Sequence, residues 1–253
     1  MWHERVKHMA IFYSAGHTEA LVYAIRMLHD AGVEFLPCPD RHVTHLLLPI
    51  PSFDSDGRIK GGGSLEALLW QLSDEVTVIG GMLDRPELEN YRTVDLLEDP
   101  SYVSENAAIT AYCATTLAAQ TLSVVWKDCP VLIVGWGRIG KCLARLLEKL
   151  GAQVTVSARK ETDRAMLRAM GYTAVDTTDM QTDKFRLIFN TVPEMLLPNC
   201  PGNAVKIDLA SRPGIGGKDV IWARGLPGKD APESTGILIA RTVLAQLCRE
   251  GSL

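Results

Sequence analysis

The sequence predicts an α/β protein, with a Rossmann dinucleotide-binding domain preceded by a smaller flavodoxin-like parallel α/β domain and long helices joining the two. Over the first hundred residues, short apolar segments alternate with helical ones, which is typical of parallel sheets. Further along, an apolar strand at 131–134 runs straight into a Gly-x-Gly-x-x-Gly pattern that opens a helix. The predicted boundaries are 1–103 for the small domain, 104–126 for a linking helix and 127–253 for the Rossmann domain with a C-terminal return helix.

The small domain contains four predicted strands and two predicted helices. Ser64 is the expected N-cap of the second helix, and Glu66 is favourable in its first turn. Gly32 ends the first helix. The predicted strands are 9–13, 33–36, 45–50 and 76–79, and the predicted helices are 19–31 and 64–72.

The Rossmann domain shows the same alternation. Gly151 stands where the cap of its first helix is expected. The linking helix, rich in Ala and Thr, carries apolar side chains around much of its circumference, so we expect a homo-oligomer, most simply a symmetric dimer. The predicted strands are 131–134, 154–156, 187–189, 205–209 and 220–223, and the predicted helices are 139–150 and 233–249.

Composition and charge favour a globular enzyme over a nucleic-acid or membrane protein. Hydrophobic residues make up 47% of the chain and charged residues 22%. Residues 1–126 carry 8 basic and 17 acidic side chains, whereas residues 127–253 carry 18 and 13. The positive half holds the glycine pattern, as steering of an anionic cofactor requires. Neither half has the dense basic stripe of a nucleic-acid binder, and no apolar run approaches the ~20 residues that cross a bilayer.

The cysteines bear on the cellular compartment in which we expect the protein. Six are present, without metal-ligand spacing, and the start of the chain does not read as a signal peptide. We therefore expect free thiols in a cytoplasmic protein.

The glycine pattern predicts where a dinucleotide binds. Gly135 permits a tight turn, Gly137 lets a pyrophosphate approach the backbone, and Gly140 lets the helix pack on the strand. Arg138 and Ile139 lie at the helix N-terminus, where unpaired N–H groups and the helix dipole attract phosphate.

The end of the next strand discriminates between the two nicotinamide cofactors. An NAD site usually has an acidic residue here, bonded to the ribose. This chain has Ser157, Ala158, Arg159 and Lys160 instead. Because the forked donors of Arg159 match a 2′-phosphate, we expect NADP, with NAD as the alternative if Glu161 reaches the ribose.

Three later strand ends carry small polar residues with Pro or Gly. The carboxyl ends of parallel strands are where such sheets bind ligands, although ordinary turn chemistry explains any one of these segments. The residues we assign to the cofactor are Asn190, Thr191, Val192 and Pro193 after one strand, and Ala210 and Ser211 after the next. The residues we assign to a substrate in a cleft between the domains are Arg212, Gly225 and Pro227, together with Arg58 and Lys60 from a glycine-rich loop.

These cationic residues have simpler alternatives. Arg58 and Lys60 can pair with substrate carboxylates, but their loop can equally be a plain solvated one. Arg212 follows a central strand and is the best placed of the three, whereas its alternative is a structural ion pair with Asp208.

The candidate catalytic residues are His17, Lys60 and Arg212. Every histidine occurs within the first 45 residues, so a His general base must come from the small domain. His17, at the tip of the first strand, is the best placed of them, with a capping or solvated role as the alternative. His42 and His45 lack the neighbours of a metal site, and we expect no metal. The six histidines are His3, His8, His17, His29, His42 and His45.

The sequence resembles the family of dipicolinate synthase A subunits, most densely over residues 130–245. Before residue 100 the likeness is confined to residues 45–51 and 76–81. The first lobe is shorter than that of the family, and its first turn, Tyr13–His17, differs from the family's sequence. The segments that carry the resemblance are the glycine pattern, Ala158-Arg159, Asn190–Pro193, Ile207–Gly214, Gly225–Pro232 and Thr235–Ala240.

This resemblance implies an NADP-linked oxidoreductase that acts on a cyclic dicarboxylate from the lysine pathway to give dipicolinate during sporulation. It also implies a flavoprotein-like B subunit as partner. Two other classes remain open from the residues alone: another two-domain dehydrogenase of the D-2-hydroxyacid or shikimate type, and a non-catalytic nucleotide-sensing subunit. The lack of any His after His45 argues against the hydroxyacid type, and the first-lobe lysine of the shikimate type would have to be Lys7 or Lys60.

Overall fold

The computed structural model describes residues 10–251, which divide into two compact units. Unit 1 comprises residues 10–106 and 227–251, and unit 2 comprises residues 107–226. Met9, where the first predicted strand begins, lies outside the described residues, as do His3, His8 and Lys7. In the described part of the chain, no helix is long and apolar enough to span a membrane.

Unit 1 is built on a five-stranded, all-parallel sheet. The strands are β1 (Ile11–Ser14), β2 (Glu34–Phe35), β3 (His45–Leu47), β4 (Thr77–Gly80) and β5 (Arg92–Asp95), and the helices are α1 (Glu19–Asp30), α2 (Leu65–Leu69) and the C-terminal α7 (Pro232–Glu250). The strand order is β2-β1-β3-β4-β5, which is the flavodoxin-like order predicted. Ser64 caps α2 as expected, through a bond from the Ala67 N–H.

Unit 2 is built on a six-stranded, all-parallel sheet. The strands are β6 (Pro130–Val134), β7 (Gln153–Ser157), β8 (Thr173–Val175), β9 (Leu187–Asn190), β10 (Val205–Asp208) and β11 (Val220–Trp222), and the helices are α4 (Arg138–Lys149) and α5 (Glu161–Ala169). The order β11-β10-β9-β6-β7-β8 is the Rossmann order, with its reversal point between β6 and β9. The predicted fold class is therefore confirmed.

Two helices cross the boundary between the units: α3 (Pro100–Thr121) and the short α6 (Leu226–Asp230). α3 begins and ends about one turn earlier than the predicted linking helix at 104–126. The start is set by a cap at Asp99, whose Oδ1 accepts hydrogen bonds from the N–H groups of Ser101 at 2.7 Å and Tyr102 at 2.9 Å, with Pro100 at the first helical position.

α7 packs against α1 within unit 1, although the predicted boundaries place it with the Rossmann domain as a return helix. Gly236 lies where the two helices meet. A Cβ at this position would collide with the Cβ of Tyr23 and lie 2.6 Å from the carbonyl oxygen of Ala20. Only glycine therefore permits this close approach.

We expect Gly236→Ala to lower the free energy of unfolding by about 1–3 kcal/mol, because the added methyl meets backbone that cannot turn aside. Urea denaturation measures the change. Gly228→Ala is the matched control, since a Cβ there has no neighbour within 4 Å. Equal stability of the two variants would contradict the close packing of α7 on α1.

Candidate functional site

The turn between β6 and α4 is tightly packed, both within itself and against the end of β9. Gly135 has φ +105°, in the left-handed region, and a Cβ there would lie 2.5 Å from Oγ1 of Thr191 and 2.7 Å from a methyl of Val192. A Cβ at Gly140 would collide with the carbonyl oxygen of Gly135. These two glycines therefore bring the start of the helix directly against the end of the strand.

The N-terminus of α4 faces open space. Gly137 is the N-cap, has extended backbone and offers no side-chain bond to the helix. A Cβ on Gly137 would meet nothing within 4 Å. The free N–H groups of this twelve-residue helix, with no side chain beside them, suit a phosphate group.

A pocket of about 190 Å³ opens beside this turn, entirely within unit 2. It has a polar rim at the tip of β7, and the segment after β9 contributes the apolar Val192 and Leu196 together with the carboxylate of Glu194. The lining residues are Gly135, Trp136, Ser157, Ala158, Arg159, Lys160, Asp163, Thr177, Val192, Glu194 and Leu196.

One arginine holds the tip of β7 in place. The Arg164 guanidinium donates to the carbonyl oxygens of Ala158 at 2.7 Å and Arg159 at 2.8 Å, and it pairs with Asp176 at 2.5 Å. It also pairs with Glu161 at 2.9 Å. Hydrogen bonds from Arg168 and Arg164 hold the pKa of Glu161 below its usual range. Glu161 is thus an ionised partner of these arginines and does not line the pocket.

Ser157 is the residue of this pocket that the fold leaves unsatisfied. Its side chain is fully buried, and its hydroxyl has no hydrogen-bond partner among the described residues. Buried polar groups are nearly always bonded, so this hydroxyl is an exception, and it has no surface open to the pocket. The pocket itself has two exposed cations at its rim and lies beside the glycine turn that leads to the N-terminus of α4, which fits the adenosine end of a dinucleotide.

A buried carboxylate organises the next two strand ends. Asp208, fully buried at the end of β10, accepts the Asn190 amide at 2.9 Å and the N–H groups of Ala210 at 3.0 Å, Gly214 at 2.7 Å and Ile215 at 3.1 Å. The sequence suggested Asp208 only as a partner for Arg212. A signal for this role was present in the sequence: Asp208 stands only five residues before Pro213-Gly214, a turn whose backbone N–H groups a carboxylate can accept.

Asn190 and Thr191 fix the neighbouring end of β9. The Asn190 amide donates to the carbonyl oxygen of Val192 at 2.9 Å, and the Val192 N–H returns to the Asn190 oxygen at 3.1 Å. The Thr191 hydroxyl donates to the carbonyl oxygen of Val134 at 2.9 Å, which ties this tip to β6. Asn190, Thr191 and Val192 therefore shape the reversal point of the sheet.

The predicted substrate residues of the later strand ends lie apart from the Asp208 network. Arg212 is exposed, and in the described chain it forms no ion pair with Asp208. Gly225 is exposed with φ +68°, and Pro227 follows it across the unit boundary. Sequence reasoning missed Trp222, whose indole N–H donates to the carbonyl oxygen of Ala210 at 3.0 Å, beneath the guanidinium of Arg224 at 5.2 Å.

The predicted residues of unit 1 meet in one loop. The His17 N–H donates to the carbonyl oxygen of Lys60 at 2.9 Å, and the Lys60 N–H donates to Ser52 at 2.9 Å. Ile59 is fully buried in the core of the unit, so the loop is anchored on the β1–α1 turn. The side chains of His17 and Arg58 are exposed.

The described residues contain no cluster of His, Cys, Asp or Glu that could hold a metal ion. His45 has a structural environment: its ring stacks on Phe12 and its Nε2 lies 3.4 Å from Glu250. Burial lowers the pKa of His45 below its ordinary value. All six cysteines lie within the described part, and no disulfide joins them there.

A flavodoxin-ordered unit and a Rossmann unit with a glycine turn at its reversal point define the fold of a two-domain dehydrogenase. The particular similarity is to the A subunit of dipicolinate synthase. The chain is 27% identical to that protein from Bacillus subtilis (strain 168), over 84% of this chain and 80% of the relative. The resemblance predicted from the sequence is thus confirmed. No protein-family model matches the chain.

Solved structures agree on the fold. The A subunit of dipicolinate synthase from Bacillus halodurans superposes with a TM-score of 0.83 at 22% identity, covering 96% of this chain and 98% of that one. An L-alanine dehydrogenase superposes with a TM-score of 0.64 at 13% identity, covering 96% of this chain and 82% of that one.

We expect Gly137→Ala to leave the free energy of unfolding within about 0.5 kcal/mol of the wild type, because the added methyl points into open space. The same methyl obstructs a pyrophosphate at the helix N-terminus, so NADPH affinity should fall at least tenfold. Urea denaturation and calorimetric titration measure the two effects.

Gly140→Ala is the paired control, since its methyl collides with the Gly135 carbonyl and should destabilise unit 2 outright. Unchanged NADPH affinity in Gly137→Ala would show that the phosphate does not bind at this turn.

Proposed function

We propose that this chain is an NADP-dependent oxidoreductase of the dipicolinate synthase type, working as one subunit of a larger enzyme. Its reaction takes a hydride from a dihydro form of dipicolinate. The observation that carries the proposal is the pocket beside the glycine turn, because it lies between the turn that leads to an uncapped helix N-terminus and a strand tip with two exposed cations. The similarity to the A subunit of dipicolinate synthase supports the substrate class.

We propose that the cofactor residues all lie in unit 2. The backbone of Gly135–Ile139 would hold the pyrophosphate, and Ser157, Arg159 and Lys160 would hold the adenosine end. The tips of β9 and β10, from Asn190 to Pro193 and at Ala210 and Ser211, would hold the nicotinamide end. The bound nicotinamide supplies the hydride acceptor.

The preference for NADP rests on the tip of β7. Arg159 and Lys160 are exposed at the rim, and no acid stands at the strand end. Glu161, the acid that could have reached a ribose, is bound by Arg164 and Arg168. Asp163, in the first turn of α5, and the exposed Glu194 line the pocket as well, so the positive charge is local to the tip of β7 and the four charged side chains of the pocket sum to zero. Forked donors at such a rim favour a 2′-phosphate.

The substrate end of the proposal rests on Arg212. The Asp208 network fixes the loop that carries this exposed guanidinium, which suits a carboxylate of the substrate ring. In the reaction the dihydro ring gives a hydride to the nicotinamide and a proton to solvent or a base, and it becomes the aromatic dipicolinate. The two electrons lost by the ring are those gained by the cofactor. His17 and Lys60 remain the candidate bases from unit 1, with Arg58 a second candidate for carboxylate binding.

Assembly is part of the proposal. The curated relative is named as one subunit of a synthase, so we propose a second, flavoprotein-like protein as partner, as the sequence resemblance implies, and a homo-oligomer of this chain. We also propose a cytoplasmic location, which the free cysteines support.

We expect Arg159→Asp to weaken NADPH binding at least tenfold and to leave NADH binding little changed. The reason is the loss of charge-assisted bonds of about 1.5–3 kcal/mol each to the 2′-phosphate. Calorimetric titration with both cofactors measures the difference. Arg186→Asp is the matched control. This exposed arginine directly precedes β9 and therefore lies at the amino ends of the strands, away from the pocket at their carboxyl ends. An equal loss for NADPH and NADH would show that Arg159 does not contact the 2′-phosphate.

We expect Arg212→Ala to raise the dissociation constant of dipicolinate about tenfold or more and to leave NADPH affinity intact. Calorimetric titration of dipicolinate with NADPH present measures this dissociation constant. Lys218→Ala is the control, since Lys218 lies with Arg212 in the segment between β10 and β11. NADPH formation from dihydrodipicolinate, with and without the partner protein, tests the activity directly. Absence of dipicolinate binding by the wild type in both settings would contradict the substrate assignment.

A further inference from the structure

We propose that the side chain of Trp70 in one copy of this chain inserts into a groove between α4 and α5 of another copy, and that this contact assembles the homo-oligomer. The inference rests on the assembly part of the proposed function. It adds the two surfaces that meet and the residues that carry the contact.

The first surface is centred on Trp70, at the end of α2 in unit 1. α2 buries Leu65, Leu68 and Leu69 in the core of the unit, whereas Trp70 lies outside that buried face and is 78% exposed. No other large apolar side chain of the described residues is more exposed. Tryptophan brings more apolar area into a pocket than any other side chain, and it is enriched among the residues that dominate binding energy at protein interfaces. The exposed indole is therefore suited to anchor a contact with another protein surface.

The surroundings of Trp70 are acidic. Glu66 lies one helical turn before it and Asp74 follows it, and both carboxylates are exposed. Neither forms an ion pair within the described residues. A third carboxylate in the same depression is paired inside unit 1, and Arg41 is the one cation among the lining residues. The indole thus stands in surroundings of net negative charge.

The second surface is a groove of about 720 Å³ between α4 and α5, entirely within unit 2. Met166 and Met170 lie one turn apart at the end of α5 and are 58% and 53% exposed. Tyr172 donates its hydroxyl to Glu148 at 2.7 Å, and its ring lies 6.1 Å from that of Trp136, which also lines the groove. Methionine side chains adapt to the shape of a partner, and aromatic rings offer edges and faces to an indole. The groove therefore suits a large aromatic side chain.

Two cations flank this groove on α4. Lys141 and Arg145 are exposed and one helical turn apart, and neither forms an ion pair in the part of the chain that the structure describes. Glu148 is the one carboxylate among the lining residues, and it accepts the hydrogen bond from Tyr172. The charged side chains of the groove therefore sum to plus one.

Charge selects a second copy as the occupant. Two such grooves facing each other would place cation against cation, whereas an inserted Trp70 brings unpaired carboxylates towards unpaired cations. Unit 1 as a whole has an excess of acidic side chains and unit 2 an excess of basic ones, so the same attraction acts at longer range. Every chain offers both surfaces, and two-fold closure, the commonest arrangement, makes the contact twice per dimer.

The first test is sedimentation of the full chain at micromolar concentration, where the wild type should be an oligomer. Trp70→Ala should raise the dissociation constant of self-association about tenfold or more, because it removes the anchor. Its melting temperature should equal that of the wild type at concentrations where both are monomeric, since the indole is exposed. Tyr112→Ala is the matched control, because this tyrosine is 64% exposed on α3, and its self-association should match the wild type.

Charge reversal tests which surfaces meet. Glu66→Lys combined with Asp74→Lys should weaken self-association about tenfold, and so should Lys141→Glu combined with Arg145→Glu. The chain with all four changes should associate about as tightly as the wild type, because acid and base are then exchanged across the contact. Local damage by either pair of changes would not be repaired by the other pair.

The outcomes separate this inference from the function it rests on. An oligomer that Trp70→Ala leaves intact, or that the combined reversal fails to restore, overturns the inference and leaves the proposed homo-oligomer standing. An equal loss in Tyr112→Ala places the interface on α3 and also overturns it. A monomeric wild type overturns it together with the homo-oligomer. If the reversal at Lys141 and Arg145 then abolishes binding of the partner protein, the groove belongs to that protein. NADPH titration of the same preparations tests the oxidoreductase proposal independently of all these results.

Discussion

The close contact between Gly140 and the carbonyl of Gly135 is the constraint on which the candidate site depends. It forces the chain from β6 directly into α4, and it leaves the helix N-terminus facing the edge of the sheet with no side chain in the way. The same turn leaves Gly135 against Thr191 and Val192, which brings in the end of β9 from the far side of the reversal point. Bulk at any of these contacts would separate elements that must lie together for a phosphate to reach the helix.

The remaining strand ends are held by charges that are satisfied within the protein. Asp208 accepts four neutral donors from the β9 and β10 ends, and Arg164 binds two carbonyl oxygens at the β7 tip. Because these bonds exist without ligand, the edge of the sheet is ordered in advance and binding need not supply that ordering energy. Among the buried side-chain polar atoms of the described residues, the Ser157 hydroxyl is the one left without a hydrogen-bond partner.

Much of the fold follows from apolar periodicity, because the central strands are buried on both faces. The segments that the sequence analysis missed are those with weak burial: β5 and β8 lie at sheet edges, and α5 buries only Leu167. The predicted start of α3 is wrong because its first turn begins at the Asp99-Pro100 cap, four residues before the predicted start of the helix. The packing of α7 on α1 depends on a contact between residues more than two hundred positions apart, which no local pattern reports.

The residues of the candidate site likewise fall into those that the sequence predicts and those that depend on contacts formed only after folding. Gly135, Gly137 and Gly140 were predictable because their spacing encodes a backbone requirement. The pairing of Glu161 with Arg164 and Arg168, the Asp208 network and the isolation of the Ser157 hydroxyl were not, because each depends on which side chains meet after folding. Arg58 and Lys60 show the same limit, since the sequence left their loop as either carboxylate-binding or solvated, and its anchor, the buried Ile59, is evident only after folding.

A crystal structure of the protein with NADPH tests the central claim most directly, namely that unit 2 binds a phosphorylated dinucleotide across the glycine turn. The account predicts the pyrophosphate on the backbone of Gly135–Ile139 and the 2′-phosphate on Arg159. Electron density for the cofactor at another surface, or a ribose bonded to Asp163 with its 2′-phosphate turned away from Arg159, would contradict it.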